Sequence, residues 1–160
     1  MRIILSPAKQ MKEEFEILEP EGVPIFLTET EKLLSWMRKQ SNDYLQKLWK
    51  VNSKIAELNF ERLKNMNLRS RLTPAILAYE GIAYKYMAPS VFENNQFDYV
   101  QEHLRIISGF YGVVKPLDGI TPYRLEMAAK AKINDYKDLY DFWGDKIYKS
   151  IIKESNLIIN

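Results

Sequence analysis

The chain has 160 residues, of which 46% are hydrophobic and 28% charged, and its formal net charge is +2. This length and composition predict one globular domain over residues 1–160, and the small positive charge permits a cationic patch without requiring one. The absence of cysteine excludes disulfides, thiolate catalysis and cysteine zinc sites within these residues.

The first predicted element is a buried strand, Arg2–Leu5, which ends at Ser6-Pro7 because proline cannot continue a central strand. Amphipathic patterns then predict three helices, so the N-terminal half after the first strand is expected to be helical. These helices are predicted over residues 29–39 behind a capping box of Thr28 and Glu31, from Ser41 to Trp49, and from Asn52 or Ser53 to about Met66 with Ile55, Leu58 and Leu63 inward.

Apolar runs in the second half of the chain predict two more buried strands, Ala75–Tyr79 and Leu104–Ser108, which we expect in one sheet with the first strand. A helix over "VFENNQFDYVQEHL" with a break near Asn94 separates them. A late helix capped by Asn134 is interrupted at Gly144, and the terminal "NLIIN" reads as a further strand beyond which we expect more chain. Together these elements predict a mixed α/β fold with a central sheet and flanking helices, in a single domain that is incomplete at its C-terminal end.

Polar side chains follow each predicted strand, and the carboxyl ends of parallel strands share one edge of a sheet. We therefore expect these side chains to converge on a cleft, although each motif alone is more often a turn or a solvated surface. The candidates are Ser6 and Lys9 after the first strand, Glu80 and Tyr84 after the second, and Ser108, Tyr111, Lys115 and Asp118 after the third.

The segment "YRLEM", from Tyr123 to Met127, carries an arginine and a glutamate two residues apart. As a strand it places Arg124 and Glu126 on one face, where the glutamate can hold a guanidinium that binds phosphate or carboxylate. As a helix, with Thr121 as cap and Pro122 at its first position, it separates the two side chains. The strand is the preferred interpretation.

Three motifs now resemble a known family. They are "IILSPAK" (3–9), "LRIISGFYGVVKPLDGITPYRLEM" (104–127) and "LYDFWGDKI" (139–147), with a weaker match in "PAILAYEGIAYKYM" (74–87). Their order and residues resemble the YaaA family of peroxide-stress proteins along the whole chain. The sequence departs from the family pattern at Gln10, Tyr86 and Ala128.

The resemblance implies a cytoplasmic protein that limits free intracellular iron during peroxide stress and looks like a DNA-binding protein. It also implies an unusual α/β fold with a cationic cleft and a helix-hairpin-helix-like element, and no established reaction or cofactor. The nearest hairpin-like segment, Gly109 to Gly112, spaces its glycines one residue too far apart, so that element is not assigned.

Two functions compete for the predicted cleft. A nucleic-acid-binding protein, which is the preferred hypothesis, would use four cations on phosphates and three tyrosines for stacking, namely Lys9, Arg105, Lys115 and Arg124 with Tyr84, Tyr111 and Tyr123. An enzyme acting on a nucleotide or phosphorylated small molecule would bind the anion with Lys9 and Arg124 and take its general base from Glu80, Asp118 or Glu126. A scaffold in which the ion pairs only stabilise the fold is the third interpretation.

Metal and membrane functions have little support in the sequence. The one histidine, His103, is predicted at a helix end, so no histidine metal site is expected and no catalytic residue is assigned. No apolar run approaches the ~18 residues of a membrane span. The family resemblance implies a cytoplasmic protein with double-stranded or structured DNA as its partner. A small phosphorylated ligand is the alternative, and no membrane partner is expected.

Overall fold

The computed structural model describes all 160 residues and confirms a mixed α/β fold with helices flanking a central sheet. The strands are β1 (Arg2–Leu5), β2 (Gln10–Met11), β3 (Thr73–Pro74), β4 (Tyr79–Glu80), β5 (Leu104–Ser108), β6 (Gly112–Val114), β7 (Gly119–Ile120) and β8 (Ile158–Ile159). The α-helices are α1 (Leu27–Arg38), α2 (Asn42–Trp49), α3 (Ser53–Asn65), α4 (Ala75–Ala78), α5 (Ile82–Met87), α6 (Asn94–His103), α7 (Leu139–Trp143) and α8 (Lys146–Glu154), and a 3-10 turn covers Pro89–Val91.

The central sheet has the strand order β6-β5-β1-β8. Strand β1 runs parallel to both β5 and β8, and β6 pairs antiparallel with β5. The register pairs Ile3 with Leu104 and Leu5 with Ile106, so β1 and β5 end side by side. The two remaining strand pairs, β2 with β4 and β3 with β7, are antiparallel.

The three N-terminal helices lie close to their predicted positions. The Ser41 side chain accepts a hydrogen bond from Tyr44 N and caps α2, and Asn52 caps α3 in the same way. The capping box at Thr28 is wrong, because α1 begins at Leu27, two residues earlier than predicted, and Glu31 binds Arg69 at 2.6 Å instead.

The inward face predicted for α3 is only partly right. Leu63 is buried, whereas Ile55 and Leu58 are exposed. The helix packs through Ala56, Asn59 and Leu63, which lie three and four residues apart on one stripe.

The prediction of a strand over Ala75–Tyr79 is wrong. Residues 75–78 form the buried helix α4, and only Tyr79 continues into a strand, which belongs to a different sheet. A short, fully buried apolar run has the same pattern in either conformation, and two alanines in four residues favour the helix.

Two later helices begin further along the chain than predicted. Helix α6 starts at Asn94 behind a capping box of Glu93 and Gln96, so the expected break near Asn94 is its beginning. Asn134 adopts a left-handed conformation in a tight turn, and Asp138 caps α7 through Asp141 N at 2.8 Å. The interruption at Gly144 is confirmed, since its φ of +52° separates α7 from α8.

The main core joins the sheet to the N-terminal helices and is rich in aromatic side chains. Trp36 and Trp49 are buried in it, and Trp143 donates its indole N–H to Gly109 O at 2.9 Å. The terminal strand predicted in "NLIIN" is present as β8, and both of its residues, Ile158 and Ile159, are exposed. None of the helices has the length and apolar character needed to cross a membrane.

Candidate functional site

A cleft of about 380 Å³ opens where β1 and β5 end. The loop after β1 forms one wall, the residues that follow β5 form the floor, and the "YRLEM" segment forms the other wall. The lining side chains used below are Ser6, Lys9, Ile107, Tyr123, Arg124, Glu126, Met127 and Tyr140. This pocket is called the Arg124 cleft.

The "YRLEM" wall is neither the preferred strand nor the alternative helix, because no ladder or helical hydrogen bonds cover it. The side-chain alternation of an extended chain persists, with Tyr123 and Leu125 buried and Glu126 exposed. Its backbone passes so close to Gly109 that a Cβ atom there would lie 2.7 Å from Met127 N and 2.9 Å from Leu125 O. Glycine at position 109 therefore brings this wall against the end of β5.

The opposite wall is held in a similar way. A Cβ atom at Gly81 would lie 2.8 Å from Ala8 Cβ, so the loop after β1 packs directly on the backbone before α5. The Tyr84 hydroxyl donates to Ser6 O at 2.9 Å and ties down the start of the loop. Both walls are thus held in place by close packing against neighbouring segments of the chain.

Arg124 is the distinctive side chain of the cleft. It takes part in none of the protein's ion pairs, and its buried Nε has no hydrogen-bond partner. A buried donor without a partner costs about 1–3 kcal/mol. The guanidinium therefore lies in the cleft wall with hydrogen-bonding capacity that the fold itself does not use.

Lys9 and Glu126 form an ion pair across the cleft, with Nζ and Oε1 3.1 Å apart. Their side chains are 68% and 47% exposed, so the pair contributes little to stability and Lys9 can turn toward a ligand at low cost. With Arg124, the three charged groups leave one net positive charge at the cleft.

A buried hydrogen-bond chain supports the Tyr123 wall. Ser108 Oγ accepts from the amides of Phe110 and Tyr111, at 3.1 and 3.0 Å, which occupies both of its lone pairs. Its hydrogen must then go to Tyr123 Oη at 2.6 Å, and Tyr123 Oη shares a further hydrogen bond with Tyr79 Oη at 2.8 Å. Burial raises the pKa of Tyr123 to about 12, so this chain stays protonated at neutral pH.

Tyr111 does not line the cleft, although it was expected there. Its side chain is fully buried, its hydroxyl accepts from Thr121 N at 3.2 Å, and burial raises its pKa. Tyr84 and Tyr123 are also largely buried. Burial leaves none of these three rings open for the predicted base stacking.

Arg105 lies outside the cleft, so its expected phosphate contact is wrong. Only 3% of the residue is exposed, and its Nε and Nη2 lie 2.8 and 2.7 Å from Glu154 Oε2. Arg2 contacts the same oxygen at 2.6 Å, and the shared carboxylate ties α8 to β1 and β5. The guanidinium is used to hold the fold together and is not available to a ligand.

Lys115 and Asp118 also lie away from the cleft, on the loop between β6 and β7. Asp118 is buried, and its Oδ2 accepts from Lys115 N at 2.8 Å in a local turn. Burial raises the pKa of Asp118, and the hydrogen bond from Lys115 N opposes that shift. Asp118 therefore shapes the turn, as expected of an ordinary structural aspartate.

Glu80 and Tyr84 line a neighbouring cavity of about 590 Å³ that shares the residues from Ser6 to Lys9 with the cleft. Among the four cations and eight supporting residues proposed from sequence, the cleft itself brings together five, namely Ser6, Lys9, Tyr123, Arg124 and Glu126.

Sequence reasoning assigned no site role to Tyr140, which lies in the first turn of α7 and is 62% exposed at the cleft. It also missed the apolar wall made by Ile107 and Met127. An aromatic residue in the first turn of an amphipathic helix carries no signal that separates a surface position from a core one. No group of three histidine, cysteine, aspartate or glutamate side chains is placed to hold a metal ion.

Comparison with known proteins places these features in a family. The family model described as "Peroxide stress protein YaaA" matches residues 1–160. A UPF0246 protein of Agathobacter rectalis is 59% identical over the whole chain, and this match covers 64% of that relative. UPF0246 proteins of Lachnoclostridium phytofermentans and Pediococcus pentosaceus are 51% and 48% identical, with 63% and 64% of their lengths covered.

The chain therefore spans less than two thirds of the length of these relatives. The matched portion contains every element that builds the Arg124 cleft, from the "SPAK" loop to helix α7. With a family model that covers all 160 residues, the chain belongs to the YaaA family of peroxide stress proteins.

Proposed function

We propose that this protein serves the peroxide-stress response of its family by binding the phosphate groups of DNA in the Arg124 cleft. The observation that carries the proposal is the Arg124 guanidinium, which lines an open cleft, has no carboxylate partner and keeps a buried Nε without a hydrogen-bond acceptor. A planar fork of donors of this kind matches a phosphate group.

Lys9 is the second phosphate ligand in this proposal. Its present partner, Glu126, is exposed, and the two charged groups lie 3.1 Å apart. A phosphate oxygen can replace that carboxylate, because an exposed ion pair contributes little to stability. Contacts of this type bind the nucleic-acid backbone without reading base sequence. The expected preference is therefore for shape or damage and not for a particular sequence.

The proposal also covers the physiological role. We propose a cytoplasmic location and an effect on the amount of free iron, as the family resemblance implies. The 160 residues contain no cysteine, so these residues have no thiol with which to reduce peroxide. Protection of DNA, or control of iron use through DNA, accords with this composition better than direct destruction of peroxide.

The test is a salt titration of binding to one DNA duplex. If Arg124 neutralises a phosphate, log K falls with log salt by about 0.9 per contact, and Arg124→Ala flattens the slope by roughly one contact. Arg124→Lys restores only part of the affinity, because lysine keeps the charge and loses the fork. Lys47→Ala, which removes an exposed charge on α2 away from the cleft, is the matched control and should leave the slope nearly unchanged.

A second candidate function is binding or conversion of a small phosphorylated ligand. The observation that favours it is that Arg105 and Lys115 lie outside the cleft, which leaves a compact pocket of about 380 Å³ with mixed charge in place of a long basic surface. Glu126 is then the carboxylate placed to act as a base. In this case Arg124→Ala abolishes binding of the small ligand and leaves DNA affinity and its salt slope unchanged.

A further inference from the structure

The Arg124 cleft adjoins an apolar groove of about 360 Å³. The two cavities share three lining residues, Ile107, Met127 and Tyr140. Beyond them the groove is walled mainly by aliphatic and aromatic side chains of β1, α7, α8 and β8. A charged pocket for an anion therefore lies next to a surface suited to a flat or apolar group.

Tyr140 stands at the junction of the two cavities. Its neighbours in α7, Leu139 and Trp143, are buried in the core, whereas Tyr140 itself is 62% exposed and lines both cavities. A single exposed tyrosine is ordinary on a protein surface. This one differs in its position, because it presents an aromatic ring beside the only guanidinium of the cleft.

We propose that the cleft and the groove together accept one nucleotide, with its phosphate on Arg124 and its base against Tyr140. This inference rests on the phosphate site of the proposed function and adds the identity of the group attached to the phosphate. The cleft volume lies in the range of small-molecule sites, which is roughly 300–1,000 Å³. The nucleotide is either a free nucleoside monophosphate or an unpaired nucleotide of a DNA chain.

Glu126 favours a nucleotide over a phosphate that carries an alkyl chain. Its carboxylate is 47% exposed, lines the cleft and is paired only with Lys9. If Lys9 turns to the phosphate, this acceptor needs a donor, which a sugar hydroxyl or a base amino group supplies and an alkyl chain does not. Tyr140 in turn offers a stacking surface that any base can use.

The first experiment is calorimetric titration of the protein with three probes: deoxyadenosine monophosphate, inorganic phosphate and hexyl phosphate. The nucleotide should bind at least about tenfold more tightly than phosphate. This factor lies in the lower part of the range of affinity that is gained when one base stacks on an aromatic ring. Tyr140→Ala should remove most of this advantage over phosphate, and Tyr140→Phe should keep it. Tyr86→Ala, which removes an exposed tyrosine outside both cavities, is the control and should have no effect.

A second arm identifies the source of the nucleotide. The protein is titrated with a fully paired duplex, the same duplex with one unpaired adenosine, and the same duplex with an abasic residue at that place. Tighter binding of the unpaired adenosine, lost in Tyr140→Ala, assigns the site to nucleotides within DNA. Equal binding of the three duplexes, together with tight binding of the monophosphate, assigns it to the free nucleotide.

The outcomes separate this inference from the proposed function. If phosphate and nucleotide bind equally and both depend on Arg124, the nucleotide assignment is overturned and the phosphate site remains. If hexyl phosphate binds as tightly as the nucleotide and Tyr140→Ala changes neither, the groove takes an alkyl chain and the assignment is again overturned. If no probe binds and Arg124→Ala leaves duplex affinity unchanged, both proposals fail.

Discussion

Replacing Gly109 with alanine should destabilise the protein and disturb the Arg124 cleft. The new Cβ atom would lie 2.7 Å from Met127 N, 2.9 Å from Glu126 C and 2.9 Å from Leu125 O. Because all three neighbours are backbone atoms, the segment itself must move by roughly 0.7 Å to reach the ordinary contact distance of 3.4 Å. Overpacking of this kind costs about 1–3 kcal/mol.

The assay is urea or thermal unfolding, in which that cost lowers the melting temperature of a chain this size by roughly 2–12 °C. Phosphate affinity should fall as well, because the displaced segment carries Arg124. The control is Gly22→Ala, where the new Cβ meets no atom within 4 Å; that substitution should be neutral or should stabilise by up to about 1 kcal/mol. If Gly109→Ala unfolds like Gly22→Ala, the close approach that defines the cleft wall does not exist.

Three further predictions concern the groups that support the site. Tyr123→Phe should cost about 1–3 kcal/mol at neutral pH, because the buried Ser108 hydroxyl loses its acceptor; an unchanged unfolding midpoint would contradict the hydrogen-bond chain. Burial raises the pKa of Tyr123 from 10.0 to about 12, so wild-type stability should decline as pH rises above about 10, and the decline should be shallower in Tyr123→Phe. Burial alone would raise the pKa of Glu154, but the hydrogen bonds from Arg2 and Arg105 lower it below 4.5. Glu154→Gln should therefore lower the free energy of unfolding by about 1.5–3 kcal/mol at neutral pH, and this loss should shrink as pH falls below about 4.5. A loss that does not change with pH would contradict an ionic contribution from Glu154.

The sequence predicted those elements whose signals are local and chemically specific. Ser41 and Asn52 have short side chains that can accept a hydrogen bond from the first turn of a helix, and both cap helices in the structure. Strand β5 could be predicted because its apolar run ends at Ser108-Gly109, where the backbone turns. The segment Ala75–Ala78 could not, since a run of four buried residues lacks any periodicity that distinguishes helix from strand.

The position of the loop after β1 could be expected from the sequence, whereas positions that depend on tertiary partners could not. Lys9 could be placed at this edge because it follows β1, whereas Arg124 follows β7 and reaches the cleft through the close packing of its segment on Gly109. Arg105 was misassigned because its partner, Glu154, is 49 residues away and lies in a helix whose packing the sequence does not reveal. Tyr111 was misassigned for a similar reason, since its hydroxyl finds Thr121 N inside the fold.

The claim that Arg124 is an anion ligand can be tested at the atom concerned, by following arginine Nε–H signals in a nuclear magnetic resonance titration with inorganic phosphate. The signal absent from Arg124→Lys identifies Arg124 Nε, and Arg105 Nε, which is bound to Glu154 at 2.8 Å, is the internal control. We predict a saturable shift of the Arg124 signal with no shift at Arg105. An Arg124 signal that stays in place, or that moves only in parallel with Arg105 as salt increases, would contradict the phosphate site.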